Sequence, residues 1–156
     1  MKGYDQIAGI DFKYNFAPVT SEVTMRILLI LWIIENYFIE VADVQTAFLY
    51  GELEEELFIK IPPGYNEYLR EIGEKIDGDY LKLEKSTYGL VQAARSWWQK
   101  FTTVLKKDLN FMQYQNDSCL LKKELENGKV FLIVYVEDCL VLGNNSAVKK
   151  ALNDIE

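Results

Sequence analysis

The sequence predicts an α+β fold in which helices pack against an antiparallel sheet. Two segments, 20–36 and 92–109, repeat apolar residues at the spacing of a helix. Three short apolar runs, at 119–123, 130–136 and 139–142, have the length of strands. Tight turns separate these runs, and such turns join antiparallel strands. We therefore expect one domain with both kinds of element.

Length and composition limit the functions that this chain can have. Its 156 residues suit a single domain, and 49% apolar with 26% charged residues is typical of globular proteins. The chain contains 0 histidines, which excludes catalysis by Ser-His-Asp or Cys-His groups. A net charge of −7 argues against strong free-standing binding to nucleic acid. Cys119 and Cys139 form no Cys-X-X-Cys pair and are expected to be core residues.

The first predicted helix begins at a cap formed by Thr20 or Ser21 and runs to about Asn36. Its apolar residues recur at helical spacing and predict a buried face made of Val23, Ile27, Leu28, Leu31 and Ile34. The most apolar stretch, 27–34, is far shorter than the roughly 20 residues that span a bilayer, so it predicts a core helix. The N-terminus also lacks a secretory signal, so an intracellular protein is expected.

The middle of the chain predicts shorter elements. An apolar run at 38–42 reads as a buried strand that ends at Asp43. Alternating residues predict two further strands, at 57–61 and 80–83. Between them, at 67–76, the charge pattern permits either a helix or a surface excursion.

The C-terminal part predicts two successive hairpins. Asn127-Gly128 lies between apolar runs, which is a strong hairpin signal. Glu137-Asp138 separates the next two runs and would form the tip of a second, tighter hairpin before a final helix from Ala147.

These positions assemble three carboxylates that could serve phosphoryl transfer. Mg²⁺ prefers oxygen ligands, and one or two carboxylates with substrate phosphates usually hold it. Asp43 at a strand end and Glu137-Asp138 at a hairpin tip would suffice. Acidic residues at turns are common, however, so the carboxylates alone leave an ordinary structural role open.

Three longer motifs carry a resemblance to a known family. They read VADVQTAFLYGELEEELFIKIPPGY, YLKLEKSTYGLVQAARSWWQKF and FLIVYVEDCLVLG, in this order along the chain. They resemble the first catalytic aspartate region, the Tyr-Gly-Leu segment and the Tyr-Val-Asp-Asp hairpin of copia-type (Ty/copia) retrotransposon reverse transcriptases. The resemblance implies a reverse-transcriptase palm, which is a ferredoxin-like antiparallel sheet with packed helices. It also implies one domain over 1–156, with partial fingers and a connecting helix at about 1–36 and a palm-centred part with the remaining fingers segment at 37–156.

The resemblance also implies the site residues. Asp43, Glu137 and Asp138 would be catalytic and would hold two Mg²⁺ ions, or Mn²⁺, together with the Val44 backbone. Nucleotide binding would fall to Ala47, Phe48, Gly89 and Gln92, with Phe48 as the steric gate that excludes a ribose 2′-OH. Tyr135 and Arg95 would contact nucleic acid. Without the resemblance, Phe48 reads as core packing and Trp97 and Trp98 as packing residues.

One departure from the family pattern bears on activity. Glu137 stands where the family has aspartate, and its extra methylene is expected to misplace the carboxylate. The chain also begins after the family's early fingers segment and ends before the expected primer grip, thumb and ribonuclease H regions. Two functions are therefore expected alternatives: an RNA-directed DNA polymerase domain of weak or no activity, and a non-catalytic relic or co-opted interaction module.

The partners implied by the resemblance are an RNA or DNA template-primer, a deoxynucleoside triphosphate and the rest of a retrotransposon polyprotein. No membrane partner is expected. The implied location is an intracellular particle in the cytoplasm, or the nucleus.

Overall fold

The fold places helices on both faces of one antiparallel sheet. A computed structural model describes residues 3–76 and 78–155 of the chain. The helices in these residues are α1 (Glu22–Ile34), α2 (Tyr65–Glu71), α3 (Ala93–Lys107) and α4 (Asn145–Ile155). The strands are β1 (Phe38–Asp43), β2 (Phe58–Lys60), β3 (Tyr80–Lys82), β4 (Met112–Gln113), β5 (Leu120–Leu125), β6 (Gly128–Tyr135) and β7 (Asp138–Gly143). Single 3₁₀ turns occupy Gly3–Asp5 and Ala47–Tyr50.

Five strands form the main sheet in the order β1-β7-β6-β5-β4, and every neighbouring pair is antiparallel. Strands β2 and β3 form a separate antiparallel pair. The turn between β5 and β6 consists of Glu126 and Asn127, and Gly128, the first residue of β6, has a φ of 131° that residues with a side chain rarely adopt. The prediction of a mixed fold with an antiparallel sheet and both hairpins is thereby confirmed.

Alternating side chains of the sheet fill two separate cores. On one face, Leu132 and Val141 pack with Trp97, Phe101 and Leu105 of α3, and α4 completes this core. Helix α1 covers the other face, and the core between α1 and the sheet is made of Leu28, Tyr37, Leu120, Phe131, Ile133 and Leu142. Both cysteines are buried as predicted, Cys119 just before β5 and Cys139 in β7, and burial raises the pKa of Cys119 to about 11 and that of Cys139 to about 12.

Helix α1 begins at the predicted cap but buries much less than predicted. The Ser21 side chain accepts a hydrogen bond from the Val23 backbone N–H. Of the five apolar residues predicted to form a buried face, only Leu28 is buried, with Leu31 partly buried. The others, Val23, Ile27 and Ile34, are 64%, 53% and 71% exposed, so the prediction of a buried core helix is wrong. The reason is geometric, because a helix lying on one sheet face can bury only the stripe that points at the sheet.

The remaining elements deviate by small amounts from the prediction. Helix α2 begins earlier and is shorter than the predicted 67–76, ending at Glu71. Gly73 then takes a φ of 79°, which ends the helical path. Within the described part of the chain, none of the helices has the length and apolar character needed to cross a bilayer.

Candidate active site

Two of the three predicted carboxylates are direct neighbours across the sheet. Asp43 is the last residue of β1 and Asp138 the first of β7, and the antiparallel register pairs them with each other. Residues paired in this way have Cβ atoms about 4.5–5.5 Å apart, so two acidic side chains start from adjacent positions at one end of the sheet. Antiparallel pairing at the ends of two strands thus produces a concentration of negative charge that the local sequence alone does not specify.

Glu137 lies in the turn beside this pair. Val136 and Glu137 form the two-residue connection between β6 and β7, so Asp138 belongs to the strand and not to the tip. The Val44 backbone N–H donates to the Glu137 carbonyl oxygen at 3.1 Å, which ties the turn to the residue after Asp43. The structure therefore brings Asp43, Glu137 and Asp138 to one end of the sheet.

The turn itself has an unusual backbone. Val136 has a φ of 57°, a left-handed conformation that is costly for a β-branched residue. The Trp97 indole N–H donates to the Val136 carbonyl oxygen at 2.8 Å. Trp97 is 4% exposed and stacks on Phe101 with ring centroids 4.8 Å apart, so α3 holds the turn through a rigid side chain. Sequence reasoning assigned Trp97 to packing and missed this bond.

A second residue that sequence reasoning missed contacts the turn from the other side. The Tyr88 hydroxyl donates to Oε2 of Glu137 at 3.2 Å. The Tyr88 ring lies against Phe48, with ring centroids 4.7 Å apart. Burial, and next the hydrogen bond to Glu137, raise the pKa of Tyr88, because both disfavour the phenolate. Its place next to Gly89 in the motif was the available signal, since Gly89 was already a candidate.

The carboxylates of Asp43 and Asp138 together form a donor set that suits a divalent ion. Carboxylate oxygens are the hard ligands that Mg²⁺ and Mn²⁺ prefer, and two of them with substrate phosphates are a common protein contribution. Among residues 3–76 and 78–155, no group of three His, Cys, Asp or Glu side chains is close enough to form a metal cluster by itself. Oε2 of Glu137 accepts the hydrogen bond from Tyr88, and substrate oxygens would complete the coordination shell of an ion at this site.

Comparisons with known proteins decide the family. The family described as Reverse transcriptase (RNA-dependent DNA polymerase) matches residues 1–155. The chain belongs to the copia-type retrotransposon reverse transcriptases. It is 36% identical over 148 residues to the retrovirus-related Pol polyprotein from transposon TNT 1-94 of Nicotiana tabacum, an alignment that covers 95% of this chain and 11% of the relative.

Two further relatives extend this similarity. The retrovirus-related Pol polyprotein from transposon RE2 of Arabidopsis thaliana is 33% identical over 150 residues, with 96% of this chain and 10% of the relative covered. The transposon Ty1-MR1 Gag-Pol polyprotein of Saccharomyces cerevisiae is 30% identical over 153 residues, with 97% and 8% covered. The chain thus spans about a tenth of the length of the curated relatives it matches. No solved structure matches it significantly.

In this reverse transcriptase chain, the predicted nucleotide-binding residues Ala47 and Phe48 lie in the 3₁₀ turn after β1. Ala47 is fully buried, and Phe48 is partly buried with its ring against Tyr88. Gly51 ends this turn against α3, where an added Cβ would lie 2.9 Å from Cβ of Ser96. This close approach fixes the turn on the helix that also holds the hairpin.

The second half of the predicted nucleotide site is fastened to the N-terminal segment. Gly89 has a φ of 91°, which favours glycine at this position. Gln92 is 3% exposed, and its amide donates to the Asp11 carbonyl oxygen at 3.0 Å and accepts from the Gln6 amide at 3.0 Å. Gln6 in turn accepts from the Val91 backbone N–H at 2.8 Å. The Gln92 side chain therefore fixes its own segment in place.

The two predicted nucleic-acid contacts differ in their surroundings. The Arg95 guanidinium donates to the Phe16 carbonyl oxygen at 3.0 Å and lies 5.2 Å from the centre of the Tyr14 ring. Tyr135 is 51% exposed at the end of β6, and the sheet register pairs it with Asp138. Tyr135 is thus beside the carboxylates, while Arg95 is engaged with the N-terminal segment.

Proposed function

We propose that this chain is the palm-centred part of an RNA-directed DNA polymerase and that its carboxylates carry nucleotidyl transfer. The observation that supports this most strongly is the cross-strand pairing of Asp43 with Asp138 beside the Glu137 turn, in a chain of reverse transcriptase sequence. In this proposal residues 37–156 form the palm and the remaining fingers segment, and residues 1–36 form the partial fingers and connecting helix.

The proposed reaction joins a primer to a deoxynucleotide. The primer 3′-hydroxyl gives its proton to water, its oxygen attacks the α-phosphorus, a new P–O bond forms, the bond to the β-phosphate breaks, and pyrophosphate leaves with the electron pair. Two Mg²⁺ ions, or Mn²⁺ in their place, would supply positive charge at the attacking and leaving oxygens when bound. Asp43, Asp138 and Glu137 would hold them, and the Val44 backbone would add an oxygen near the triphosphate.

The remaining candidates would place the reactants. The Phe48 ring would lie against the sugar of the incoming nucleotide and reject a 2′-OH by its volume. Gly89 would let backbone approach the nucleotide closely because it has no side chain, whereas Ala47, which is fully buried, would contribute by holding the turn that carries Phe48. Gln92 would contribute by fixing this segment from within, since its amide is already hydrogen-bonded. Tyr135 would contact the primer end, and Arg95 would approach template phosphate on release from Phe16.

The proposed activity is slow because Glu137 carries one methylene more than aspartate. A displacement of about 1 Å at a reacting group can cost on the order of a hundredfold in rate. Primer extension on an RNA template with Mg²⁺ tests both the function and its rate. We expect slow extension by the unaltered chain, faster extension by Glu137→Asp and none by Asp43→Asn.

The outcomes separate the alternatives. Extension that Asp43→Asn leaves intact would contradict the assignment of the carboxylates. Extension by Glu137→Asp alone would assign the defect to the added methylene. If neither the unaltered chain nor Glu137→Asp extends a primer, the polymerase proposal for this chain fails.

A non-catalytic interaction module is the second candidate, and the exposed apolar side chains of α1 favour it. Ile30, Ile33 and Ile34 are 55%, 71% and 71% exposed, which is unusual for a helix without a partner. Light scattering over a range of concentrations, combined with the extension assay, distinguishes the two. Self-association without extension would support the module.

The partners that we propose for the polymerase are an RNA or DNA template-primer, a deoxynucleoside triphosphate and the rest of a retrotransposon polyprotein. Its proposed location is an intracellular particle or the nucleus. Both proposals come from the kind of polyprotein in which the relatives occur.

A further inference from the structure

The longer side chain at position 137 creates a positioning problem. Glutamate has one more rotatable bond than aspartate, so its carboxylate samples a larger volume before any ligand fixes it. In a turn with a left-handed residue, at Val136, the backbone offers little room to compensate. A catalytic role for Glu137 therefore needs a group that selects one orientation of its carboxylate.

Tyr88 has the geometry to be that group. Its hydroxyl donates to Oε2 of Glu137 at 3.2 Å, and among the described residues the second carboxylate oxygen, Oε1, accepts no hydrogen bond. The phenol ring cannot follow the carboxylate freely, because it is packed against Phe48 at a centroid distance of 4.7 Å. Gly89, with its φ of 91°, then turns the chain immediately after Tyr88.

The Tyr88 ring is held in place through contacts that extend to the protein core. Phe48 follows Ala47, which is fully buried, and the turn that carries both residues ends at Gly51 in close contact with α3. The same helix fixes the other side of the catalytic turn through Trp97 and the Val136 carbonyl oxygen. The backbone and the carboxylate of the turn are thus each held by one aromatic side chain.

We propose that Tyr88 is a positioning residue for Glu137: its hydroxyl holds one carboxylate oxygen so that the other is presented to the catalytic cation. This rests on the proposed function of the carboxylates. The arrangement is specific to glutamate, because an aspartate at position 137 would carry its oxygens about one C–C bond closer to the backbone and away from the hydroxyl. Tyr88 should therefore matter when residue 137 is Glu and not when it is Asp.

A double-mutant cycle measures this dependence directly. The four proteins are the unaltered chain, Tyr88→Phe, Glu137→Asp and the double variant, and the probe is Mn²⁺ alone, followed by electron paramagnetic resonance of the free ion. Loss of a group that orients a metal ligand typically weakens binding by about 10–100-fold. We expect that loss for Tyr88→Phe in the unaltered chain and a change of less than about threefold in the Glu137→Asp background.

A matched control separates the local effect from a general loss of a hydroxyl. Tyr114 is 42% exposed and Tyr88 is 41% exposed, and Tyr114 lies just after β4 at the far edge of the sheet. Tyr114→Phe should leave Mn²⁺ binding unchanged, and the thermal unfolding of Tyr88→Phe and Tyr114→Phe should match that of the unaltered chain, because both substitutions keep the aromatic ring. Equal weakening by Tyr88→Phe in both backgrounds, or no weakening in either, would overturn the positioning role.

The two proposals fail in different ways. If Mn²⁺ binding that depends on Asp43 shows the expected coupling while no variant extends a primer, the positioning role stands and the polymerase proposal fails. If primer extension depends on Asp43 but Tyr88→Phe slows it equally with Glu and with Asp at position 137, the polymerase proposal stands and the positioning role is wrong. Absence of any saturable Mn²⁺ binding in the unaltered chain would also overturn the positioning role.

Discussion

Helices α1 and α3 lie on opposite faces of the same sheet, yet they contact it differently. Helix α3 has 15 residues and buries six of them, namely Ala93, Ser96, Trp97, Phe101, Thr102 and Leu105. Helix α1 has 13 residues, most of them apolar, and buries only Leu28. The helix with fewer apolar residues is therefore the one that is better integrated into the fold.

The difference follows from how the apolar residues are arranged around each helix. In α3 the residues Trp97, Phe101 and Leu105 are four apart and share the stripe that packs in the core against the sheet. In α1 apolar residues point in every direction, and one sheet face can cover only one of those directions. A high apolar content predicts that a helix packs against other parts of the protein. The distribution of the apolar residues around the helix axis predicts how much of the helix one sheet face can bury.

The largest expected effect is on stability, when one apolar side chain in each helix is shortened to alanine. Leu105 is fully buried, so Leu105→Ala should lower the free energy of unfolding by about 2–5 kcal/mol through lost contacts and a residual cavity. Ile30 is 55% exposed, so Ile30→Ala should cost less than about 1 kcal/mol. Urea unfolding followed by circular dichroism measures both. Equal losses would mean that the outer side of α1 is covered in solution.

The next effect concerns how α3 holds the turn formed by Val136 and Glu137 between β6 and β7. Trp97→Phe replaces the indole by a smaller aromatic ring and removes the donor to the Val136 carbonyl oxygen, and the unpaired carbonyl should cost about 1–3 kcal/mol and speed hydrogen exchange in the β6–β7 hairpin. Trp98 is a matched control, because its buried indole N–H has no hydrogen-bond partner among the described residues.

Trp98→Phe removes the same ring volume but no hydrogen bond, so it should leave the exchange rates of the hairpin unchanged. Native-state exchange measured by mass spectrometry on the two variants tests this contrast. If both substitutions loosen the hairpin to the same degree, the effect comes from packing and not from the hydrogen bond.

The sequence predicts the local features of this fold well and the long-range ones poorly. Asn127-Gly128 predicts a hairpin because turn chemistry is local, and Asp43 is correctly placed at a strand end because strand period is local. The bond between Tyr88 and Glu137 joins residues 49 positions apart, and no periodicity encodes it. The motif similarity identified the family and made the three carboxylates candidates, but only the assembled structure reveals which side chains contact them.

A smaller effect concerns how α1 is fixed at its N-terminus. The Asp117 carboxylate accepts hydrogen bonds from the Ser21 and Cys119 backbone N–H groups and from the Thr20 hydroxyl. Partial burial alone would raise the pKa of Asp117, but hydrogen bonds from Thr24, Ser21, Cys119 and Thr20 outweigh it and lower that pKa. Polar contacts thus anchor the helix whose apolar surface is mostly uncovered.

Asp117→Asn removes one acceptor oxygen and should cost about 1 kcal/mol at neutral pH. Because the folded-state pKa is lowered, the stabilisation by Asp117 is fully present above its unfolded pKa of about 3.9 and is lost as the pH falls through the folded value. Unfolding midpoints measured from about pH 6 to about pH 3 should therefore converge for the two proteins. A difference that stays constant over this range would contradict a contribution from the charged carboxylate.

The smallest effect on stability lies on the outer side of α1, where the contrast between the two helices is sharpest. Ile33 is 71% exposed, so Ile33→Ser should change the free energy of unfolding by no more than about 0.5 kcal/mol while lowering the binding of a hydrophobic dye. Leu28, 2% exposed in the same helix, supplies the internal comparison, because Leu28→Ser places a hydroxyl in the core formed with Phe131 and Leu142.

Strong destabilisation by Leu28→Ser with none by Ile33→Ser would show that α1 is held by a single stripe, since both substitutions have the same cost in helix propensity to within a few tenths of a kcal/mol. Comparable destabilisation by both would instead mean that the outer side of α1 packs against protein in solution, and the distinction between the two helices would not hold.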